Sequence, residues 1–239
     1  MGHRTIRGKL LFTSKKPERM DKVRGWEAFT ITQQADGTDV LLAHSEIDDA
    51  PNLLRDVSIA MRHADSSPID CSVRLSLGNR FEGSGWMHFT DTYAECETYN
   101  RRDGRISQRH ELQEPARFLG AHPLIADALL MRLYDLEQGP GKQIQPNVFT
   151  TSVDHRGATG PALIPVSFGI AYIGDEQITV GAGTFDARHF QLTDTAGSWD
   201  EEHPAYDVWC TADDDYLMLR AGCGGYMQTH YELVELDRG

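Results

Sequence analysis

The sequence lacks the segments that mark membrane and secreted proteins. No apolar run approaches the roughly 18 residues of a membrane-spanning helix, and residues 1–12 are charged and lack the apolar core of a secretion signal. We therefore expect a cytoplasmic protein without a membrane partner. The four cysteines include no C-x-x-C pair, which argues against zinc-ribbon and thioredoxin-like motifs. Cys71, Cys96, Cys210 and Cys223 are predicted to be reduced core fillers.

Basic residues and nucleotide-binding motifs are also scarce. The chain has 23 Lys and Arg residues against 36 Asp and Glu residues, a net charge of -13, and no basic stripe. We therefore expect no nucleic-acid partner. There is no P-loop, no G-x-G-x-x-G after a strand and no G-x-S-x-G elbow, so no cofactor is predicted. No helical i,i+4 histidine pair or H-x-H spacing is present, so no metal site is predicted either.

Short segments in which apolar and polar residues alternate recur along the chain. Such alternation is typical of antiparallel strands with one buried face. Hairpin signals at residues 35–37 and 101–104 each separate two of these segments. The predicted strands are residues 5–13, 24–33, 38–47, 55–63, 69–77, 80–90, 92–100, 105–112, 148–153, 166–173, 177–180, 183–192, 205–211, 216–220 and 226–236. Residues 55–63 would also suit a short helix.

One segment has helical spacing instead. Pro123 suits a first helical position, and apolar residues follow at intervals of three and four up to Leu136. Gly139-Pro140-Gly141 would end such a helix. We therefore predict one helix around residues 123–136, placed so that it plugs or caps one end of the sheet.

This pattern predicts an all-β fold with one helix. So many short strands do not suit a single flat open sheet. Closure into a barrel, or two packed sheets, removes exposed strand edges, so we expect an antiparallel barrel or a closed meander of about 10–14 strands. No linker or internal repeat divides the chain, so residues 1–239 are predicted to form a single domain.

The last quarter of the chain resembles a known family. Val180-Gly181-Ala182-Gly183-Thr184-Phe185 is similar to the V-x-A-G-T-F strand motif of uncharacterised bacterial proteins with a lipocalin-like, twisted β-barrel. Residues 206–209, 213–219 and 231–233 resemble the last three strands of that family. The resemblance implies the barrel fold and brings no activity or catalytic residue.

Histidines on the predicted strands are the first candidates for chemistry. His88, His189 and His230 each stand beside aromatic neighbours, and imidazole is the side chain best suited to proton transfer near neutral pH. Two that converge could act as base and acid, with Tyr226 donating a hydrogen bond to a developing oxyanion. The alternative is that these histidines face solvent or are hydrogen-bonded within the core, because alternation does not say which face is inside.

The loop Asp154-His155-Arg156-Gly157 is the second candidate. Asp154 could orient His155, and Arg156 could hold an acidic substituent of a ligand. The alternative is a solvated turn. Trp86, Tyr172 and Trp209 complete the predicted substrate-binding residues, because each combines an apolar face with a polar group; the alternative is that they are core residues.

Two functions follow from these residues. The first is a cofactor-independent enzyme of isomerase, hydratase or dehydratase, or cyclase type that acts on a hydrophobic molecule, aromatic or terpenoid-like, inside the barrel. The second is a non-catalytic carrier or sensor of such a molecule. A filled barrel that serves as an interaction module is a third interpretation. The oligomeric state is left open, with a homodimer among the options.

Overall fold

The computed structural model describes residues 2–193 and 203–239. The first eight strands are β1 His3–Ser14, β2 Val23–Gln34, β3 Thr38–Ile47, β4 Leu53–Arg62, β5 Pro68–Leu77, β6 Arg80–Phe89, β7 Tyr93–Asn100 and β8 Gly104–Glu111. The other seven are β9 Phe118–Gly120, β10 Gly141–Thr150, β11 Ile164–Val180, β12 Gly183–Thr193, β13 Tyr206–Thr211, β14 Met218–Cys223 and β15 Thr229–Arg238. One helix, α1, covers Leu124–Leu130, and 3-10 turns cover Pro17–Arg19, Met131–Leu133 and Leu136–Gln138. The predicted all-β fold with one helix is confirmed, and residues 55–62 belong to strand β4 and not to a helix.

The fifteen strands form one sheet in the order β8-β7-β6-β5-β4-β3-β2-β1-β15-β14-β13-β12-β11-β10-β9. Neighbours are antiparallel except β9 and β10, which are parallel. The first and last strands pair in the middle of the sheet, so β8 and β9 are its edges. No backbone ladder joins these edges within the described residues, so the predicted closure is corrected to an open sheet. The single-domain organisation stays a prediction.

The two ends of the sheet meet through a side chain. Gln108 on β8 donates from its amide to the carbonyl of Leu163 at 3.1 Å and accepts the Leu163 N–H at 2.8 Å. A glutamine amide offers the same donor and acceptor as a peptide group, so it substitutes for one rung of a ladder. Nearby, the rings of Phe89 and Phe149 pack edge to face, 5.8 Å apart. Side-chain contacts therefore link strands β6 and β8 to the other end of the open sheet.

One predicted break in the sheet is absent. Residues 166–173 and 177–180 were expected to be separate strands, but both belong to β11. The ladder with β12 shifts register at Gly174, whose φ of 154° is disfavoured for other residues. The glycine therefore marks a β-bulge within one long strand and not a turn.

Alternation assigns the inner face of the sheet. On β4, Leu53, Arg55, Val57, Ile59 and Met61 are buried while the residues between them are exposed or half-buried. Equivalent positions on the neighbouring strands build the core, which also encloses most of α1. Burial of a side chain of Leu or Ile size stabilises the fold by about 1.5–3 kcal/mol.

The helix is shorter than predicted. It ends at Leu130, and a 3-10 turn carries the chain to Leu133 before Tyr134 becomes extended. The Tyr134 hydroxyl donates to the carbonyls of Gly139 and Gly141 at 2.8 and 2.9 Å. This anchor favours the extended conformation, so the apolar spacing that continues to Leu136 reflects 3-10 turns and not a longer helix.

The cysteines follow the sequence prediction. Cys71, Cys96, Cys210 and Cys223 are all buried, unpaired thiols. Across residues 2–193 and 203–239, no helix has both the length and the apolar character that crossing a membrane requires.

Candidate functional site

The first predicted catalytic histidine, His88, lies on the outer face of the sheet. Its chain neighbours Met87 and Phe89 point into the core, and its ring stacks on Trp86 with centroids 5.5 Å apart. Its Nδ1 lies 3.7 Å from a carboxylate oxygen of Glu95 on β7. Trp86 is 42% exposed on the same face, so neither residue reaches the interior.

His189 and Trp209 form a second outer-face pair. Their rings are stacked with centroids 4.1 Å apart. The Nε2 of His189 lies 2.9 Å from a carboxylate oxygen of Asp207, and Nε1 of Trp209 donates to Glu176 at 2.6 Å. The neighbouring Phe190 is fully buried. These contacts belong to the surface of β12 and β13.

His230 lies on β15, away from both of these outer-face pairs. It follows the buried Thr229 on β15, and its Nε2 lies 3.4 Å from a carboxylate oxygen of Glu232 on the same face. The structure therefore does not bring His88, His189 and His230 together, and the expected acid–base pairing among them is corrected. The reason is parity, because His88 and His230 alternate with buried residues and so share the outer face with polar neighbours.

The second candidate, the loop after β10, lines a partly enclosed cavity. His155 and Arg156 border it together with Tyr226, and the rings of His155 and Tyr226 meet edge to face at 6.0 Å. The Asp154 carboxylate accepts hydrogen bonds from backbone N–H groups of the loop and does not orient the His155 imidazole as predicted. Its Oδ1 accepts the N–H groups of Arg156 at 2.8 Å and Ala158 at 3.2 Å, as in an Asx turn. Burial lowers the pKa of His155.

Tyr172 packs elsewhere. Its ring contacts Tyr134 and Phe190 with centroids 6.0 and 5.3 Å apart, and desolvation raises its pKa to about 12. It does not border the cavity that the loop lines. Of the ten predicted site residues, the structure gathers His155, Arg156 and Tyr226 around one space.

We call this space the central cavity. Its volume is about 590 Å³, within the range of small-molecule sites. A smaller chamber of about 110 Å³ adjoins it, and six residues border both. Apolar lining residues of the cavity and the chamber include Phe12, Ile47, Phe118, Leu124, Leu130 and Phe168. Cationic lining residues of the cavity are Lys16, Arg19, Arg24, Arg55 and Arg156.

Helix α1 is held beside the cavity by Glu27. This residue on β2 is fully buried, and its carboxylate accepts the N–H groups of Leu124 at 2.9 Å and Ile125 at 3.0 Å. The Ser45 hydroxyl donates to the same carboxylate at 2.8 Å. These contacts satisfy two of the N–H groups that a helix N-terminus leaves without internal partners. Burial nevertheless raises the pKa of Glu27.

Asp127, one turn into α1, presents its carboxyl to both the cavity and the chamber. The Tyr206 hydroxyl donates to its Oδ2 at 3.2 Å. Burial, with a smaller contribution from Glu27, raises the pKa of Asp127 to about 7. A carboxyl that titrates near neutral pH on a cavity wall can both accept and return a proton.

Arg55 and His122 form the rear of the cavity. Arg55 is 4% exposed, and its Nη atoms donate to the backbone carbonyls of Arg156, at 2.6 Å, and His122. Burial, reinforced by the Arg55 charge, lowers the pKa of His122 to about 3, so this imidazole is neutral at pH 7. His122 Nε2 lies 3.2 Å from both the Ser152 carbonyl and the Thr150 hydroxyl.

The sequence does carry a signal for the polar residues that our prediction missed. Glu27 shares its strand parity with Phe29 and Ile31, and Arg55 shares its parity with buried aliphatic residues. Asp127 is the only ionisable residue of α1. A charge placed in phase with apolar residues must be buried, and buried charges are rare unless they have a role. That signal is more specific than histidines beside aromatic residues.

A larger concavity of about 1130 Å³ lies on the outer face across β2 to β8. We call it the outer trough. Its lining includes the small residues Ser58, Ser72 and Ser84 and the aromatic residues Trp86 and Tyr99. It is open to solvent and contains none of the buried ionisable residues that border the central cavity. The central cavity is therefore the better candidate site.

No group of three or more His, Cys, Asp or Glu side chains suited to a metal ion occurs among residues 2–193 and 203–239.

Comparisons with known proteins inform the fold alone. No family model matches the sequence, and no curated protein matches it. Among solved structures, the chain resembles a β-barrel-like protein of domain of unknown function DUF1849 from Brucella abortus. The TM-score is 0.57 at 9% identity, over 100% of this chain and 98% of the other. This likeness shows a β-barrel-like fold, whereas membership of the V-x-A-G-T-F family stays a prediction.

Proposed function

We propose that this protein binds a hydrophobic small molecule in the central cavity and moves a proton on it without a cofactor. The observation that carries this proposal is Asp127, whose carboxyl faces the cavity with a pKa raised to about 7 by burial. Groups with such a pKa exist in both protonation states at neutral pH, which general acid–base catalysis requires. Perturbed carboxyls in clefts mark functional sites more often than surface carboxyls do.

Tyr231 would complete the chemistry. It borders the same cavity, and burial raises its pKa to about 12, so its hydroxyl keeps a proton to donate at pH 7. A donor of this kind stabilises the oxyanion that forms when a proton leaves the carbon next to a carbonyl. Asp127 would remove that proton and return it to another carbon of the same conjugated system.

The protonation of the other ionisable groups around the cavity helps to choose among the possible reaction types. His122 and His155 both have a lowered pKa, and Glu27 is engaged by three donors behind α1. Asp127 is thus the cavity group best matched to neutral pH. A double-bond isomerisation needs one such group, because the proton is removed and returned by the same carboxyl. Isomerisation is therefore favoured over hydration or cyclisation.

A carrier or sensor is the second candidate. The apolar wall at Phe12, Ile47 and Leu124 and the adjoining chamber favour it, because retention of a hydrophobic ligand needs only that surface. A lipocalin-like relationship, as the resemblance implies, would suit the same role. The cytoplasmic location and the absence of nucleic-acid and membrane partners stay predictions from composition.

Proton exchange into a ketone tests the proposal. We expect the protein to catalyse deuterium uptake from D₂O into 2-decalone, measured by NMR, and Asp127→Asn to lower this rate by about 10²–10⁴-fold. The matched control is Asp237→Asn on the exposed end of β15, which should leave the rate unchanged. If 2-decalone binds and exchange stays at the uncatalysed rate, the carrier is favoured. Absence of binding by both 2-decalone and decanoate would reject both candidates.

A further inference from the structure

The charge around the central cavity is opposite to that of the whole protein. The chain has a net charge of -13, yet five cationic side chains and only two carboxyls, Asp49 and Asp127, line the cavity. Adding Asp154 and Glu27, which lie next to it, still leaves more cations than carboxyls. A cationic pocket in an acidic protein attracts anions from solution, because low-dielectric walls focus its field.

Arg24 reaches the cavity through a β-bulge. Phe12 pairs with Gly25 and Thr13 with Val23, so Arg24 has no residue opposite it on β1. A bulge of this kind redirects a side chain, and the Arg24 Nη1 donates inward to the buried Thr229 hydroxyl at 2.6 Å. Gly25 permits the bend, since its φ is 152° and a Cβ there would lie 2.1 Å from a backbone oxygen of Glu46.

The cations are only partly neutralised by carboxylates. Asp49 is shared by Arg19 at 2.6 Å and Arg24 at 2.5 Å, and the Arg156 Nε lies 3.9 Å from Asp154. Lys16 makes no ion pair with any described residue. One shared carboxylate therefore leaves positive charge at the cavity mouth.

Arg55 is the most deeply buried of these cationic side chains. It is 4% exposed, and its Nη atoms donate to neutral backbone carbonyls. Glu27, Asp127 and Asp154 interact with it, but no carboxylate in the described chain lies within ion-pair distance of it. The Nε atoms of Arg55 and Arg24 are both buried without a hydrogen-bond partner among the described residues. Buried guanidinium groups are normally paired, so this arrangement is incomplete without an anion.

We propose that the ligand of the central cavity carries an anionic group, a carboxylate or a phosphate, which binds between Arg24, Arg55 and Arg156. The inference rests on the proposed function, since it assigns a chemical class to the ligand of the same cavity. The apolar part of the ligand then lies toward Leu124 and the adjoining chamber. Guanidinium groups suit both anions because each can offer two parallel N–H donors.

Probes with the same alkyl chain separate the two proposals. Calorimetric titration with decanoate, decyl phosphate and decan-1-ol compares a carboxylate, a phosphate and an uncharged group. We expect the better of the two anions to bind at least 10-fold more tightly than the alcohol, and the preferred anion identifies the ligand class. Equal affinities for all three would overturn the anionic group and leave the hydrophobic cavity in place. Failure of all three to bind would overturn both proposals.

Variants locate the binding. Arg24→Gln and Arg156→Gln should each reduce the preference for the anion by 5-fold or more and leave decan-1-ol affinity unchanged. The matched control is Arg105→Gln, which removes a guanidinium from the outer trough. A loss of anion binding in Arg105→Gln, with none in Arg24→Gln, would place the probe in the trough and overturn the inference.

Discussion

At the scale of single residues, the proposed chemistry depends most on the protonation of Asp127. Burial raises its pKa to about 7, whereas an unfolded chain would have the ordinary value near 3.9. Between these values the folded state holds a proton that the unfolded state releases. The contribution of this group to stability is therefore complete below about pH 4 and is lost as the pH rises toward 7.

Asp127→Asn should remove this dependence. We expect the free energy of unfolding of the wild type, minus that of the variant, to fall between pH 5 and 7 by up to about 1.4 kcal/mol per pH unit, and to level off above pH 8. Urea unfolding at each pH measures it. Asp237→Asn, at an exposed carboxyl, is the matched control. A difference that stays constant from pH 5 to 7 would show that Asp127 is ionised in the folded protein.

The sequence was least informative about the direction in which individual side chains point. Alternation showed that His88 and His230 each share a face with their second neighbours, but not whether that face was inner or outer. The apolar residues Met87, Phe89 and Leu233 decide it, because they alternate with the histidines and fill the core. His155 and Arg156, which were predicted from the loop after β10, border the central cavity, and their role in binding stays a prediction.

At the scale of elements, the contact between β2 and α1 positions the candidate site. Glu27 supplies the acceptors for the first N–H groups of the helix, which sets the place of Asp127 one turn later. The sequence predicted a helix here from its spacing but not its attachment, since a carboxylate on a distant strand leaves no local signal. Its end was overestimated because the 3-10 turns after Leu130 continue the apolar spacing.

Glu27→Ala should destabilise the fold by about 2–4 kcal/mol, since buried N–H groups left without acceptors cost roughly 1–3 kcal/mol each. Urea unfolding gives the value. Glu235→Ala, at an exposed position of β15, is the control and should change stability by less than about 0.5 kcal/mol. A similarly small change in Glu27→Ala would mean that water replaces the carboxylate and that Glu27 does not fix α1.

At the scale of the whole molecule, the fold class was predictable and the closure was not. Alternating segments with hairpin signals such as residues 35–37 define an antiparallel meander almost on their own. Closure depends on how far the sheet curves, which is a sum of small twists and bulges such as those at Arg24 and Gly174. The final gap is spanned by Gln108 and Leu163, which are 55 residues apart in sequence.

The likeness to the DUF1849 protein also concerns the whole molecule. It extends over the whole chain at 9% identity, so it concerns the path of the backbone and no individual side chain. The outer trough and the central cavity are two concavities of one sheet, on opposite faces. Which of them holds a ligand is the question that decides the function.

Anomalous diffraction from a crystal grown with 10-bromodecanoate would show which concavity holds the ligand, because the bromine signal locates the end of the alkyl chain. We expect a bromine peak in the central cavity or its chamber, near Leu130 and Phe168, with the carboxylate density beside Arg24 and Arg55. A peak in the outer trough beside Trp86, with the central cavity holding only water, would contradict it.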